Sequence, residues 1–256
     1  CNKEIKFDLF LKKSIENGAD MIATGHYAQI RDYNSSSGLF RSADTNKDQT
    51  YFLHQLSDEQ LSRTLFPIGG MTKPEVRKLA AEFKLPNAQK KDSQGICFIG
   101  PINFENFLRS QIPINKGEFI DIDSGKVVGG HDGTNFYTIG QREGLHIGGA
   151  PKPYFLVEKD RGKNILYVGL GSDHPNLYKK ELKLENLHNI SKNETLEDIV
   201  NNKNLTGTIR YRHKDEKLSI DRDLNVKFEN PQRAVTSGQS LVLYDNDRCI
   251  GGGIIS

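Results

Sequence analysis

The sequence predicts an α/β fold in its first part and a β-rich fold in the remainder. Three observations support this division. The first part alternates helical patterns with a short apolar strand, two of its helices carry capping signals, and after Pro113 the pattern changes to extended runs paired around glycine-containing turns. A helix, a strand and a polar loop in this order are typical of a doubly wound sheet. The short strands that close the chain are typical of a small antiparallel barrel.

The chain opens with a helical pattern. Three apolar residues follow a loose helical spacing: Ile5, Leu9 and Phe10. Gly18 stands where a glycine would end this helix. Residues 21–23 then have the composition of a buried strand, which runs into a loop at Gly25 and His26. Because ligands of doubly wound sheets bind beyond the strand ends, this loop is a candidate binding element.

Two further helices are predicted over residues 57–64 and 72–84, and a third over 104–111. The first two begin with the spacing of a capping box, in which a hydroxyl and a Glu or Gln satisfy each other's free backbone N–H. The residues concerned are Ser57 with Gln60 and Thr72 with Glu75. Pro86 ends the second helix. The polar segment 31–38 predicts a hairpin tip or a mobile loop.

The runs EFIDIDSGKVVGGH and YFLVEKDRGKNILYVG each predict a β-hairpin. From about residue 178 onward, short strands separated by Asn, Asp and Gly predict the antiparallel barrel. Within it, residues 209–215 alternate Arg with Tyr, as a strand would if it presented cations and a stacking ring to a nucleic acid. A solvated edge strand explains the same pattern equally well.

Composition narrows the possible classes of protein. The sequence contains 35 Lys and Arg against 33 Asp and Glu, which gives a net charge of +2. This total neither indicates nor excludes nucleic-acid binding, because affinity for phosphate depends on local clusters of Lys and Arg. The absence of a long apolar run argues against a membrane partner and predicts a soluble, cytoplasmic protein. Three widely spaced cysteines argue against a structural metal site.

Because the chain begins at Cys1 without a Met, we expect it to be a piece of a longer protein.

The cysteines have competing interpretations. Cys97 is either a small buried residue, the common state of a free cysteine, or a reactive thiol, since Lys90, Lys91 and a Ser-Gln-Gly turn precede it. Cys1 stands at the start of a predicted helix, where the helix dipole would lower the pKa of a thiol. Cys249 lies in a predicted strand, and we predict that it is a buried residue that packs in the core.

Two polar loops are further candidates. In ATGHYA, Gly25 permits a ligand to approach the backbone closely and His26 follows it, although histidine is also a common structural hydrogen-bonding residue. In NKDQTYFL, three polar residues precede an apolar run: Lys47, Asp48 and Gln49. A solvated turn is the simpler explanation of the second loop.

Seven motifs taken together resemble the bacterial tRNA-specific 2-thiouridylase family, whose members thiolate the wobble uridine of certain tRNAs. They are CNKEIKF, GADMIATGHYA, NKDQTYFLHQL, FPIGGMTKPEVRKLA, KKDSQGICFIG, YTIGQREGLHIGG and GQSLVLYDNDRCIGGGII. The resemblance implies three domains: the remainder of a PP-loop ATP-pyrophosphatase domain over 1–111, a small central domain over 112–177 and a C-terminal β-barrel over 178–256. Packing of helices 57–84 on the central domain is an alternative left open. The phosphate loop of that first domain is absent from this sequence.

The resemblance also implies roles for individual residues. Cys97 would carry a persulfide and Cys1 would be its partner nucleophile, so that the two thiols would meet as a disulfide that a reductant reopens. Gly25 would lie against ATP, which is expected with Mg²⁺. The implied tRNA contacts are His26, Lys47, Asp48, Gln49, Arg210, Tyr211 and Gln239. A cysteine desulfurase or a sulfur carrier would supply the sulfur. An inactive tRNA-binding fragment and another PP-loop ATP-pyrophosphatase remain as alternatives.

Overall fold

The computed structural model describes residues 1–90 and 104–256. They form two compact units. The first comprises residues 1–90, 181–230 and 237–256, and the second comprises residues 104–180 and 231–236. No helix in these ranges is long and apolar enough to cross a bilayer.

The predicted first helix is confirmed. It begins as a π-helix over Asn2–Phe10 and continues as α1, Leu11–Glu16. Gly18 has a φ of 90° and its N–H donates to Ile15, as expected of a glycine that ends a helix. The helix buries Phe7 and Leu11, whereas the apolar residues that suggested it, including Leu9 and Phe10, are exposed.

The remaining elements up to residue 90 are short strands and helices. In chain order they are β1 (Ile22–Ala23), β2 (Ala28–Tyr33), β3 (Ser36–Arg41), a 3₁₀ turn (Thr50–Phe52), α2 (Asp58–Ser62), β4 (Thr64–Leu65) and α3 (Lys73–Glu82). β1 and β4 pair in parallel, so the local order predicted for an α/β fold is present. Both predicted capping boxes are formed, at Ser57 and Thr72. Asn34 and Ser35 make the turn between β2 and β3, which confirms the hairpin tip.

The second unit is a small β-rich body. Its elements are α4 (Phe104–Gln111), β5 (Gly117–Asp121), β6 (Val127–His131), β7 (Tyr154–Asp160) and β8 (Ile165–Leu170). The strands form one sheet in the order β6-β5-β8-β7, in which β5 and β6 form one antiparallel hairpin and β7 and β8 the other. Phe119, Leu156 and Leu166 form the centre of its core. The predicted helix and both predicted hairpins are therefore confirmed.

The last part of the chain is built from short strands and one helix. They are β9 (Tyr178–Lys183), β10 (His188–Asn189), α5 (Leu196–Val200), β11 (Leu205–Thr208), β12 (Glu216–Ile220), β13 (Asn225–Arg233), β14 (Ser240–Asp245) and β15 (Arg248–Ile254). With β2 and β3 they make a nine-stranded sheet in the order β2-β3-β15-β14-β11-β12-β13-β9, and β10 also pairs with β15. Within the described ranges this order is open, and no closed barrel is seen.

The sheet joins the two ends of the first unit. In the antiparallel pairing of β3 with β15, Phe40 faces Arg248 and Leu39 faces Cys249. Leu39, Cys249 and Tyr244 belong to one buried core that also contains Phe7. The β2–β3 hairpin is therefore held by the C-terminal strands.

One predicted strand is wrong. Residues 209–215 form a turn between β11 and β12 rather than a strand. Arg212 has a φ of 64°, which extended backbone excludes, and the N–H of His213 donates to the carbonyl of Arg210. Arg210 and Tyr211 are thus presented by a turn, not by alternating faces of a sheet.

Candidate nucleic-acid interface

A cavity of about 440 Å³ in the first unit brings together two of the predicted contact segments. The turn that contains Lys47 and Asp48 lines one part of it, and the turn that contains Tyr211 and Arg212 lines another. Arg41 also lines this cavity, which we call the cationic cavity. Cations from separate segments therefore face one space, an arrangement suited to a polyanion.

Asp48 is buried, and its carboxylate accepts hydrogen bonds from three donors. Its carboxylate accepts hydrogen bonds from the Ser42 N–H at 3.0 Å and from the Thr50 hydroxyl at 2.6 Å. Arg41 donates to the same carboxylate at 3.2 Å. These contacts fix the backbone that carries Lys47, so Asp48 has a positioning role whatever else it contacts.

Arg41 connects Asp48 to the opposite turn. Its second guanidinium nitrogen donates to Asp215 at 2.7 Å, and its guanidinium carbon lies 3.7 Å from the centre of the Tyr244 ring. Burial raises the pKa of Asp215, and the nearby charge of Arg41 opposes that rise. One side chain thus holds both walls of the cationic cavity.

Gln49 links this turn to the glycine-histidine loop. Its side-chain carbonyl accepts the N–H of Tyr27 at 2.9 Å, and its own N–H donates to the Tyr27 carbonyl at 2.8 Å. The glycine-histidine loop and the Lys47 turn are therefore joined by a reciprocal pair of hydrogen bonds.

Arg210 and Gln239, two of the predicted tRNA contacts, lie next to each other in the fold. The Arg210 Nε donates to the Gln239 side-chain oxygen at 3.3 Å. Tyr211 packs against Phe52 with ring centroids 4.5 Å apart, and the Arg212 guanidinium lies 5.2 Å from the Tyr211 ring. Cations and aromatic rings thus alternate around this turn.

His26 is only 7% exposed. Its ring lies between Phe7 and Phe66, with centroid distances of 5.5 and 5.8 Å, and its Nδ1 is 2.8 Å from the Thr24 hydroxyl. Burial, with a smaller effect from the charge of Lys6, lowers the pKa of His26 to about 4. The imidazole is therefore neutral near pH 7 and does not present a cation to phosphate. Its assignment as a tRNA contact stays a prediction.

Gly25 is exposed where the chain leaves β1. The nearest atom to a side chain built at this position is the Ile68 Cδ1, at 4.0 Å. The backbone therefore has open space for a ligand, as the predicted contact with ATP requires. In the part of the chain that the structure describes, no group of three or more His, Cys, Asp or Glu side chains is arranged to hold a metal ion, and we assign no ligand to Mg²⁺.

The two described cysteines are free thiols with opposite environments. Cys1 is exposed, and its carbonyl accepts the first hydrogen bonds of the opening helix. Cys249 is buried in the core of the first unit, and burial raises its pKa above the ordinary value, which confirms the assignment to packing. Cys97 lies outside the described residues, so the proposed disulfide with Cys1 stays a prediction.

Sequence reasoning missed Arg41 and Phe52. Arg41 ends β3 as an isolated cation, with no neighbouring cluster to single it out. Phe52 belongs to the run TYFL, which suggests burial, yet it is 46% exposed while Leu53 beside it is fully buried. Only the placement of the distant Tyr211 turn shows what either residue contacts.

Three family models match consecutive parts of the chain. Residues 1–101 match the tRNA methyl transferase HUP domain, residues 105–170 the tRNA methyl transferase PRC-barrel domain, and residues 179–255 the aminomethyltransferase β-barrel domain. These matches agree with an α/β domain followed by two β-rich domains.

Similar proteins include the tRNA-specific 2-thiouridylases of three bacteria. The chain is 47% identical to that of Shouchella clausii, 50% to that of Pediococcus pentosaceus and 49% to that of Neisseria meningitidis serogroup B. Each alignment covers 100% of this chain, and 70%, 69% and 69% of the respective relatives.

Proposed function

Because this chain belongs to the tRNA-specific 2-thiouridylase family, we propose that it is a tRNA-uridine 2-sulfurtransferase that thiolates the wobble uridine of tRNA. The observation that carries this proposal is the cationic cavity. It places Lys47 and Tyr211, which lie far apart in the sequence and were assigned to tRNA on motifs alone, against one space. A cytoplasmic location follows from the proposed tRNA substrate.

Affinity for tRNA would come from the cationic cavity. Lys47 and Arg212 would neutralise phosphates, which releases counterions and supplies most of the binding free energy. Arg210, held by Gln239, would donate to phosphate or to a base edge. Asp48 and Gln49 would act mainly by holding the Lys47 turn in place.

ATP would activate the uridine. Transfer of the AMP moiety to the C2 oxygen of the base converts a poor leaving group into a good one and releases pyrophosphate. Gly25 would lie against the nucleotide, and the open space at its α-carbon supports this contact. The match to a HUP domain agrees with nucleotide binding at this end of β1.

Sulfur would be delivered from Cys97. A cysteine desulfurase or sulfur carrier loads a persulfide on this thiol, and the terminal sulfur attacks C2 of the activated base with departure of AMP. The Cys1 thiolate then attacks the Cys97 sulfur, which breaks the S–S bond and leaves the transferred sulfur on the base. The product disulfide between Cys1 and Cys97 is reopened by an external thiol. The exposure of Cys1 supports a thiol that must meet two partners.

We also propose that the chain is divided at residues 111 and 177, and that the PP-loop domain is doubly wound and the C-terminal strands belong to a β-barrel. The parallel pairing of β1 with β4 and the antiparallel pairings of β14 with β11 and with β15 support these features.

Formation of 2-thiouridine tests the proposal. The purified chain is incubated with an unmodified tRNA transcript, ATP, cysteine and a cysteine desulfurase, and the nucleosides are quantified by mass spectrometry. We expect ATP-dependent 2-thiouridine that is lost in Cys97→Ser and retained in the matched control Cys249→Ala. Binding without thiolation would favour the alternative of an inactive tRNA-binding fragment. Thiolation that survives Cys97→Ser would contradict the proposed sulfur carrier.

A further inference from the structure

An aromatic pair, made of the exposed Phe52 and the partly buried Tyr211, lies next to the cationic cavity. The rings of Phe52 and Tyr211 are 4.5 Å apart between centroids, with an angle of 46° between their planes. Phe52 is 46% exposed, although it stands between Tyr51 and the fully buried Leu53. Its ring thus lies at the surface in a turn whose other apolar residue is buried in the core.

The turn that carries Phe52 is held firmly. The Tyr51 hydroxyl donates to the Ser240 carbonyl at 3.1 Å, and the Phe52 carbonyl accepts from the Asn2 side chain at 3.0 Å. The Tyr51 ring also packs edge-on against Phe52, with centroids 5.5 Å apart. A ring fixed in this way loses little conformational entropy when a partner stacks on it.

The surroundings of the pair are cationic rather than apolar. Arg212 lies over the Tyr211 ring, and Lys47 lines the same cavity as Tyr211. Alternation of aromatic rings with cations is the composition of sites that bind single-stranded nucleic acid, where bases stack on the rings and phosphates meet the cations. An apolar protein partner would instead favour a continuous apolar patch.

We propose that Phe52, supported by Tyr211, is a stacking platform for an unpaired base of the bound tRNA. The inference rests on the proposed tRNA substrate and adds a residue that contacts a base through its ring face. An unpaired base is required because bases within a duplex have no free face to offer.

The test compares tRNA binding by four variants. Affinity for an unmodified tRNA transcript is measured over a range of salt concentrations for Phe52→Ala, Phe52→Leu, Phe52→Tyr and the control Phe83→Ala, which removes another exposed phenylalanine. Removal of one base-stacking ring weakens binding by about 5- to 150-fold. We expect that loss in the Ala and Leu variants, near wild-type affinity in the Tyr and Phe83 variants, and an unchanged slope of log affinity against log salt, because no phosphate contact is removed.

Two results would overturn the platform even if Phe52→Ala binds tRNA more weakly than the wild type. One is equal affinity of Phe52→Leu and Phe52→Tyr, since an apolar contact without stacking would then suffice. The other is the same loss of affinity towards a blunt RNA duplex as towards the tRNA transcript. If the wild-type chain binds neither the tRNA transcript nor the RNA duplex, the proposed function itself fails. If the wild type binds the tRNA and Phe52→Ala binds it equally well, only the stacking role of Phe52 is contradicted. Melting temperatures of all four variants identify any that have lost the fold.

Discussion

The Arg41 guanidinium donates to the Asp48 carboxylate at 3.2 Å, and both residues line the cationic cavity. The pair explains how a buried carboxylate can stand in a site proposed for phosphate. Its charge is neutralised by Arg41 and its oxygens are occupied by Ser42 and Thr50. The negative charge of Asp48 therefore serves to hold the turn that carries Lys47.

Replacing Arg41 is expected to destabilise the first unit. Arg41→Met removes the partner of two carboxylates, of which Asp48 is only 7% exposed, and an uncompensated buried charge costs about 3–5 kcal/mol. Chemical denaturation measures the loss. The control Arg31→Met breaks the exposed pair with Asp247 and should cost about 0–1 kcal/mol. Equal losses in the two variants would contradict the role given to Arg41.

Lys47 is expected to contribute to tRNA binding through charge alone. Lys47→Ala should weaken binding of every tRNA to a similar extent and reduce the slope of log affinity against log salt by about 0.7–0.9, the contribution of one phosphate contact. Titrations at several salt concentrations give both quantities. Lys78→Ala, which removes a lysine from the exposed helix α3, should leave the slope unchanged. A Lys47 variant with the wild-type slope would show that this lysine does not contact phosphate.

His26 is expected to make the fold sensitive to acid. Its pKa in the folded protein is about 4, against an ordinary value of 6.5. As the pH falls through 6.5 the unfolded chain takes up a proton that the folded chain refuses until about pH 4, so stability is lost over this window. At pH 5 the loss is roughly 1–2 kcal/mol.

The variant His26→Gln isolates this contribution. Its free energy of unfolding should fall less than that of the wild type between about pH 7.5 and pH 5, even though other buried histidines, such as His54, act in the same direction. NMR titration of the His26 ring gives the pKa directly. An apparent value near 6.5 would contradict the burial of this ring between Phe7 and Phe66.

Gly69 and Gly70 offer a matched pair for testing a close backbone approach. A side chain at Gly69 would lie 1.7 Å from the Ala28 carbonyl oxygen, whereas nothing lies within 4 Å of one at Gly70. Gly69→Ala should therefore destabilise the protein by about 1–3 kcal/mol and displace the start of β2, next to the glycine-histidine loop. Gly70→Ala should be nearly neutral. Thermal unfolding of both variants measures the difference in stability. Equal melting temperatures for Gly69→Ala and Gly70→Ala would contradict the close approach of Gly69 to Ala28.

Local signals in the sequence predicted most of the individual elements. The Ser57 and Thr72 capping boxes, the turn at Asn34 and the paired runs of the second unit each involve residues a few positions apart. Such signals act through local hydrogen bonds and side-chain periodicity, so one sequence reveals them. The same reasoning failed at residues 209–215, where alternating Arg and Tyr resembled a strand but Arg212 adopts a left-handed conformation.

The long-range arrangement carried no such signal. Nothing in the sequence indicates that β3 pairs with β15, that Arg41 reaches both Asp48 and Asp215, or that Phe52 meets Tyr211. These contacts depend on which strands become neighbours in the folded sheet. Arg41 and Phe52, which no local pattern singles out, therefore acquire their contacts only in the folded protein. The motifs identified the segments of the candidate site, whereas only the fold showed how they meet.

Locating the transferred sulfur on the protein tests most directly the proposal that Cys97 carries the persulfide. The chain is treated with a cysteine desulfurase and cysteine, digested without reductant and analysed by mass spectrometry. We expect the mass of one additional sulfur atom on the peptide that contains Cys97, and none on the peptide that contains the buried Cys249. Additional sulfur on Cys249 alone, or on neither peptide while 2-thiouridine is still formed, would contradict it.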